Sequence, residues 1–147
     1  MTIELLDLHP APADLRRLVE QGLQQSPRQL PAWLLYDAEG SRLFTEICQQ
    51  PEYSLTRTEN ALLRTHADAI AAAVGPGVMV EFGIGNARKV SPLLKTGQVH
   101  TFVALDISTT ALQNALKGLA ADHPAIAMLG ICCDHSQLRD LPAHPCL

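Results

Sequence analysis

Val78-Met79-Val80-Glu81-Phe82-Gly83-Ile84-Gly85-Asn86 is the stretch on which the reading of this chain turns. A short apolar run ends in an acid and then in two glycines one residue apart. That pattern predicts a buried strand, residues 78–82, emptying into a glycine-rich turn. Neither Gly83 nor Gly85 carries a Cβ, so the backbone can turn sharply and a ligand can lie against it. A second apolar run, Phe102-Val103-Ala104-Leu105, closes on Asp106. It follows the glycines by about 20 residues, the distance at which a Rossmann-type fold places an acid to hold a ribose. Arg88 stands where a dinucleotide fingerprint has its third glycine. Glu-x-Gly-x-Gly with an acid ending the next strand fits an S-adenosylmethionine site better than a dinucleotide site.

Outward from that stretch the chain alternates. Residues 100–105 form a strand, Ser108 caps a helix with Leu112, Ala115, Leu116 and Leu119 on one face, and His123-Pro124 ends it. Ile126–Cys132 is a third strand. The β-α-β-α-β order predicts a parallel sheet with right-handed crossovers. Pro92 sits badly in the helix expected after the glycine turn, unless Ser91 is its cap and Pro92 its first residue. Residues 83–90 then make an unusually long loop.

Upstream, residues 1–11 are an extended lead-in. Asp14 caps a helix with Leu15, Leu18, Val19, Gly22 and Leu23 on one stripe. Ser41 is expected to cap a short helix turning Leu43, Phe44, Ile47 and Cys48 inward. Thr56-Arg57-Thr58-Glu59 has capping-box form and opens a helix over about 57–74, carrying Leu62, Leu63, His66, Ile70 and Ala73. Gly75-Pro76-Gly77 stops it.

The 147 residues suffice for one domain, and 47% are hydrophobic with only 4% aromatic, which suits helices packed on a parallel sheet. A formal net charge of −4 without a basic run argues against nucleic acid as a main partner. No apolar stretch reaches membrane-spanning length, and the N-terminus carries acids where a signal peptide carries positive charge. A cytoplasmic protein is expected. Cys48, Cys132, Cys133 and Cys146 form no C-x-x-C pair. Cys132-Cys133-Asp134-His135 with His144-Pro145-Cys146 reads as strand end and polar loop rather than metal site, so no metal is expected.

Tyr36-Asp37-Ala38-Glu39-Gly40-Ser41-Arg42-Leu43-Phe44 and Pro51-Glu52-Tyr53 with Thr56-Arg57-Thr58-Glu59 carry a further signal. They resemble the Y-D-x-x-G-S-x-L-F and P-E-Y-Y-x-T-R-x-E signatures of the S-adenosylmethionine-dependent, histidine-specific methyltransferases of ergothioneine biosynthesis. The resemblance covers roughly residues 30–135. It implies the N-terminal half of a class I S-adenosylmethionine-dependent methyltransferase fold, α/β and Rossmann-like. Residues 1–74 would be a helical segment bearing substrate-side tyrosines, and residues 75–147 the first half of the cofactor-binding domain. It implies methylation of the α-amino group of histidine to hercynine, with S-adenosyl-L-methionine as cofactor. Gly83 and Gly85 would admit the cofactor's amino-acid end, and Lys89 would meet its carboxylate. Asp106 would take the ribose. Asp134 would take the adenine amine, with His135 where a phenylalanine is usual. Tyr53 and Tyr36 would line the histidine pocket. By themselves these residues also have plain readings: Asp106 as a cap or loop acid, Asp134 and His135 as loop residues, Lys89 as a solvated charge, and the tyrosines as core aromatics.

Three departures stand out. Ile84, Asn86 and Ala87 replace small hydroxyl residues in the loop, Pro92 is foreign to the next helix, and the family's chains are about twice as long. A sheet of this class needs about seven strands, and three are legible here. The chain is therefore expected to be truncated, with an exposed sheet edge that invites self-association. The rival readings are a non-catalytic fragment or pseudoenzyme that binds only cofactor or a partner chain, and a nicotinamide-dependent oxidoreductase, which Arg88 and the tyrosine signatures disfavour.

Overall fold

The computed structural model describes residues 3–8, 14–85, 87–135 and 138–145. Four parallel strands form one sheet: β1 (Ile3–Asp7), β2 (Gly77–Phe82), β3 (Val99–Asp106) and β4 (Ala127–Cys132), in the order β1-β4-β3-β2. The three strands read from the sequence are present within a residue or two. The fourth is the lead-in: Ile3–Asp7 pairs in register with Met128–Cys132 along the outer edge of β4. Five residues of which three are apolar, Ile3, Leu5 and Leu6, gave too little alternation to announce a strand.

Strand alternation divides the core. Phe102, Ala104, Met128 and Cys132 face one side, where they pack with Leu112, Ala115, Leu116 and Leu119 of helix α5 (Thr109–Asp122). Val103, Leu105, Leu129, Ile131 and Cys133 face the other side, with Leu6, Val80 and Leu138 against them. The α5 stripe is the expected one. Ser108 caps it, its Oγ accepting from the Ala111 N–H at 3.2 Å.

The upstream helices are α1 (Leu15–Gln24), α2 (Ala38–Ile47) and α3 (Leu55–Val74), with a 3-10 turn at Ala32–Leu35. Asp14 caps α1 as expected, accepting from the Arg17 N–H. Four expectations change here. Asp37, not Ser41, caps α2, accepting from the Gly40 N–H at 2.7 Å. Ser54 heads α3 without a side-chain cap bond, so Thr56 to Glu59 is not a capping box; the Thr56 hydroxyl lies 3.4 Å from the Cys48 thiol instead. And α3 turns Ala67 and Ala71 inward, while Leu55, Leu62, Ile70 and Val74 are exposed. A helix rich in small residues has two usable apolar stripes, and packing against the short helix α4 (Ser91–Leu94) selects the alanine one, which permits closer approach. Leu43, Phe44 and Ile47 of α2, expected inside, are each about half exposed.

Candidate functional site

The site begins where the sheet ends. Backbone bonds run past the strand termini, from Gly83 N–H to the Leu105 carbonyl, Cys133 N–H to the Asp106 carbonyl and Leu8 N–H to the Cys132 carbonyl. They place Gly83, Asp106 and the Asp134–His135 turn side by side along the carboxyl rim, where open α/β sheets bind ligands.

Gly83 and Gly85 adopt φ of 74° and 53°, the left-handed region that favours glycine. A Cβ at either would meet nothing within 4 Å, so the space in front of both is open. Ala87 shares the left-handed conformation at φ 59°. It is buried, as are Ile84 and Val90, and the Ala87 N–H bonds the Ile84 carbonyl. The two described departures in the loop thus have a structural role: Ile84 and Ala87 anchor it by burial, where hydroxyl residues would hold it by hydrogen bonds. Burying the Ile84 side chain contributes about 1.5–3 kcal/mol, and the Ala87 methyl about 0.8 kcal/mol. Asn86 lies outside the described residues. Pro92 falls in the first turn of α4, one residue past the first helical position, Ser91, where its missing N–H costs nothing.

Lys89 reaches back to the end of β2. Its Nζ lies 2.6 Å from Oε1 of Glu81, with the lysine side chain one-third exposed and the glutamate 15% exposed. Glu81 holds the lysine pKa above its ordinary value by accepting a hydrogen bond from it, against the opposing effect of desolvation. Asp106 is half-buried, and one carboxylate oxygen accepts the Ser108 N–H at 2.9 Å. That bond fixes the side chain at the rim and leaves acceptor capacity on both oxygens. Asp134 is half-buried and His135 exposed in the next turn. The His135 ring meets Phe82 edge-on, with centroids 5.8 Å apart. Phe82 is 56% exposed at the end of β2, so two rings from non-adjacent strands converge over the end of β3. The sequence reading assigned no role to Glu81 or Phe82. Glu81 was legible as the acid of the Glu-x-Gly-x-Gly motif, and Phe82 only by its place at the end of an apolar strand.

The predicted cofactor residues are therefore gathered at one rim, while the two tyrosines are not joined to it. Tyr36 ends the 3-10 turn and is 57% exposed. Tyr53 packs edge-on against Phe44 with centroids 6.1 Å apart. No hydrogen bond or ring contact ties either tyrosine to the rim among the described residues.

The signature residues around the tyrosines are scaffolding. Arg57 donates to the carbonyls of Gln50 and Pro51 at 2.7 and 2.6 Å, closing the turn that carries Tyr53. Gly40 lets the Leu35 carbonyl approach α2 so closely that a Cβ would lie 1.8 Å from its oxygen. Arg42 pairs with Glu39 and Glu46 along the outside of α2.

Cys132 and Cys133 are buried on opposite faces of the sheet. Burial pushes both thiols up. His144 lies 2.9 Å from Glu4 of β1, and Cys146 is outside the described residues. No group of three metal-ligating side chains gathers among the described residues, and no helix there is long and apolar enough to cross a membrane.

The family model described as histidine-specific, S-adenosylmethionine-dependent methyltransferase matches residues 15–146. Histidine N-alpha-methyltransferase of Mycolicibacterium smegmatis is 37% identical over 127 residues, covering 84% of this chain and 40% of that protein. The protein of the same name from Mycobacterium tuberculosis is 32% identical over 133 residues, covering 87% and 41%. Ergothioneine biosynthesis protein 1 of Schizosaccharomyces pombe is 38% identical over 125 residues, covering 78% and 16%. The chain thus spans about 40% of the length of the first two relatives. Its four-stranded parallel sheet is the Rossmann-like fold of S-adenosylmethionine-dependent methyltransferases, and the chain belongs to the histidine-specific, S-adenosylmethionine-dependent methyltransferase family.

Proposed function

We propose that this chain carries the cofactor-binding part of an enzyme that transfers methyl groups from S-adenosyl-L-methionine to the α-amino group of histidine, forming hercynine. The observation that supports it most is the rim itself. Open space at two left-handed glycines shares the rim with the Lys89 ammonium, paired to Glu81, and with a carboxylate on Asp106. That set fits an amino-acid end followed by a ribose diol. The names of the relatives supply the acceptor.

When bound, the cofactor supplies an electrophilic methyl on a sulfonium. The chain's own residues bind and orient. Lys89 offers its ammonium to a carboxylate, Asp106 accepts from the ribose hydroxyls, and Asp134 accepts from the adenine amine. His135 and Phe82 flank the base. Tyr36 and Tyr53 orient the substrate amine. Only the neutral amine has a lone pair, so turnover rises with pH through the pKa of the bound α-amine.

Residues 1–74 act as the substrate-side segment and residues 75–147 as the cofactor-binding half. The enzyme works in the cytoplasm on a small amino acid. The outer edge of β2 is unpaired among the described residues, with Val78 and Phe82 exposed along it, and a second copy can add there.

Calorimetric titration with S-adenosylhomocysteine, followed by mass spectrometry for hercynine, tests the reading. Micromolar binding with methylated histidine supports it. No binding to a folded chain refutes the cofactor site. Binding without turnover supports the second reading, a non-catalytic binder of cofactor or of a partner chain, which is favoured by the two tyrosines making no hydrogen bond or ring contact with the rim among the described residues.

A further inference from the structure

We propose that α3 carries a two-fold interface between copies of this chain: its uncovered apolar stripe packs antiparallel against the same stripe of a second copy, with His66 at the axis. The inference stands apart from the cofactor reading. It extends the open edge of β2 to the helix beside it and fixes how the two copies meet.

α3 has 20 residues, of which only Ala67 and Ala71 are buried. Asn60 and Leu63, half-buried, share their face. At about 100° per residue, Leu55, Leu62, His66, Ile70 and Val74 form a second stripe adjoining that face, and all five are exposed. Arg64, Thr65 and Asp68 take the rest of the circumference. A helix that faces one core needs an apolar arc of about 100°, and the arc of α3 is about twice as wide. This chain covers only the alanine half of it. The helix stands on the open side of the sheet. Gly75–Gly77 turns it directly into β2. Near its start, Glu59 lies close enough to Lys89 to favour the charged ammonium, as the bonded Glu81 does more strongly. α3 therefore runs back along β2, whose outer edge is unpaired among the described residues and carries Val78 and Phe82. Leu55, Leu62, Ile70, Val74, Val78 and Phe82 are 37–80% exposed. Together they present on the order of 600 Å², the upper end for a patch on a monomer, against about 800 Å² per partner in a standard interface.

The stripe is its own complement, which selects a second copy as the occupant. With two α3 helices antiparallel and His66 at the axis, Leu62 comes opposite the partner's Ile70, and Ile70 opposite the partner's Leu62. Glu59 comes opposite the partner's Ala73, so no two carboxylates meet. Residues four apart lie over one another on a helix, so Leu62, His66 and Ile70 can interdigitate with their counterparts at an axial separation of about 8–10 Å. Such an isologous contact uses each residue twice, and a single substitution therefore acts twice.

Sedimentation velocity of the full chain from about 1 to 100 μM reads the association, and circular dichroism reports whether each variant is folded. The wild-type chain is expected to pass from monomer to dimer over that range. His66→Asp sets two carboxylates against each other at the axis and should weaken the dimer at least about tenfold. His66→Leu buries two further apolar side chains and should tighten it at least about tenfold. Leu62→Glu should repeat the loss at an independent exposed position, while Asp68→Lys, on the opposite side of the helix, leaves the dimer unchanged. A monomer at every concentration overturns the proposal, whether α3 is then bare or covered by a different polypeptide. A dimer indifferent to both His66→Asp and Leu62→Glu overturns it too. So does a dimer that only Val78→Lys dissociates, since the contact would then lie on the edge of β2 alone. None of these outcomes touches the cofactor reading, which S-adenosylhomocysteine titration tests separately.

Discussion

Gly40→Ala should unfasten the helix that carries the first signature without disturbing the sheet. The added Cβ would lie 1.8 Å from the Leu35 carbonyl oxygen, where real contacts do not come under 3.0 Å, so the two must separate by at least 1.2 Å (3.0 minus 1.8). The obstacle is backbone, and it cannot be relieved by a rotamer change. Moving α2 away from the 3-10 turn strains the Asp37 cap, whose carboxylate accepts the Gly40 N–H at 2.7 Å. Loss of such a cap costs about 1 kcal/mol, and forced displacement of packed elements about 1–3 kcal/mol. Alanine's better helix propensity returns about 1 kcal/mol. The net is about 1–3 kcal/mol, acting locally. Leu43, Phe44 and Ile47 are about half exposed, so α2 is held mainly by its own cap and the turn. Amide hydrogen exchange reads this directly: protection of the α2 amides should fall about 10- to 100-fold while β3 and β4 keep theirs. Unchanged protection in α2 would show that Gly40 is not needed for the close approach. An equal loss throughout the sheet would show that α2 is part of the global core.

Other consequences are open to measurement. At Gly130 in β4, an added Cβ would come within 2.5 and 2.7 Å of the terminal methyls of Leu5 and Leu116; these can yield, so Gly130→Ala should cost about 1–3 kcal/mol in urea unfolding, with Gly130→Val worse. Asp106→Ala should weaken S-adenosylhomocysteine by at least about tenfold, and Asp106→Asn by less, since the amide keeps one acceptor; equal binding by all three forms would remove Asp106 from the site. Burial holds the Cys132 and Cys133 thiols above their ordinary value. The folded chain therefore keeps their protons more tightly than the unfolded chain. The stability this gives is complete below the ordinary thiol pKa of about 8.5 and is lost as pH rises through the raised folded values. The urea midpoint should fall above that pH, and less steeply in a Cys132→Ala, Cys133→Ala variant; identical slopes would refute it.

Much of the fold was legible because local chemistry and tertiary need agree in the second half of the chain. Val78 to Gly85, Ser108 with its leucine stripe and Ala127 to Cys132 each carry the pattern of the element they form. The roles at the rim were harder to read. That Asp106 stands beside Gly83 on one side and Asp134 on the other follows from parallel register, which joins residues far apart in sequence. The pairing of Lys89 with Glu81 depends on a loop that folds back, and no spacing rule announces it.

By itself, the sequence determined the alternation of strand and helix, the glycine turn, the acid ending β3 and membership of a methyltransferase family, because these depend on residues within a few positions of one another. Only the tertiary structure decided that Ile3–Asp7 is the edge strand beside β4, that α3 buries Ala67 and Ala71 and exposes Leu55 and Leu62, and that Asp37 rather than Ser41 caps α2. In each case several local solutions have nearly equal free energy, and the choice falls to whichever surface the rest of the chain presents: the unpaired edge of β4, the short helix α4, and the Leu35 carbonyl against Gly40.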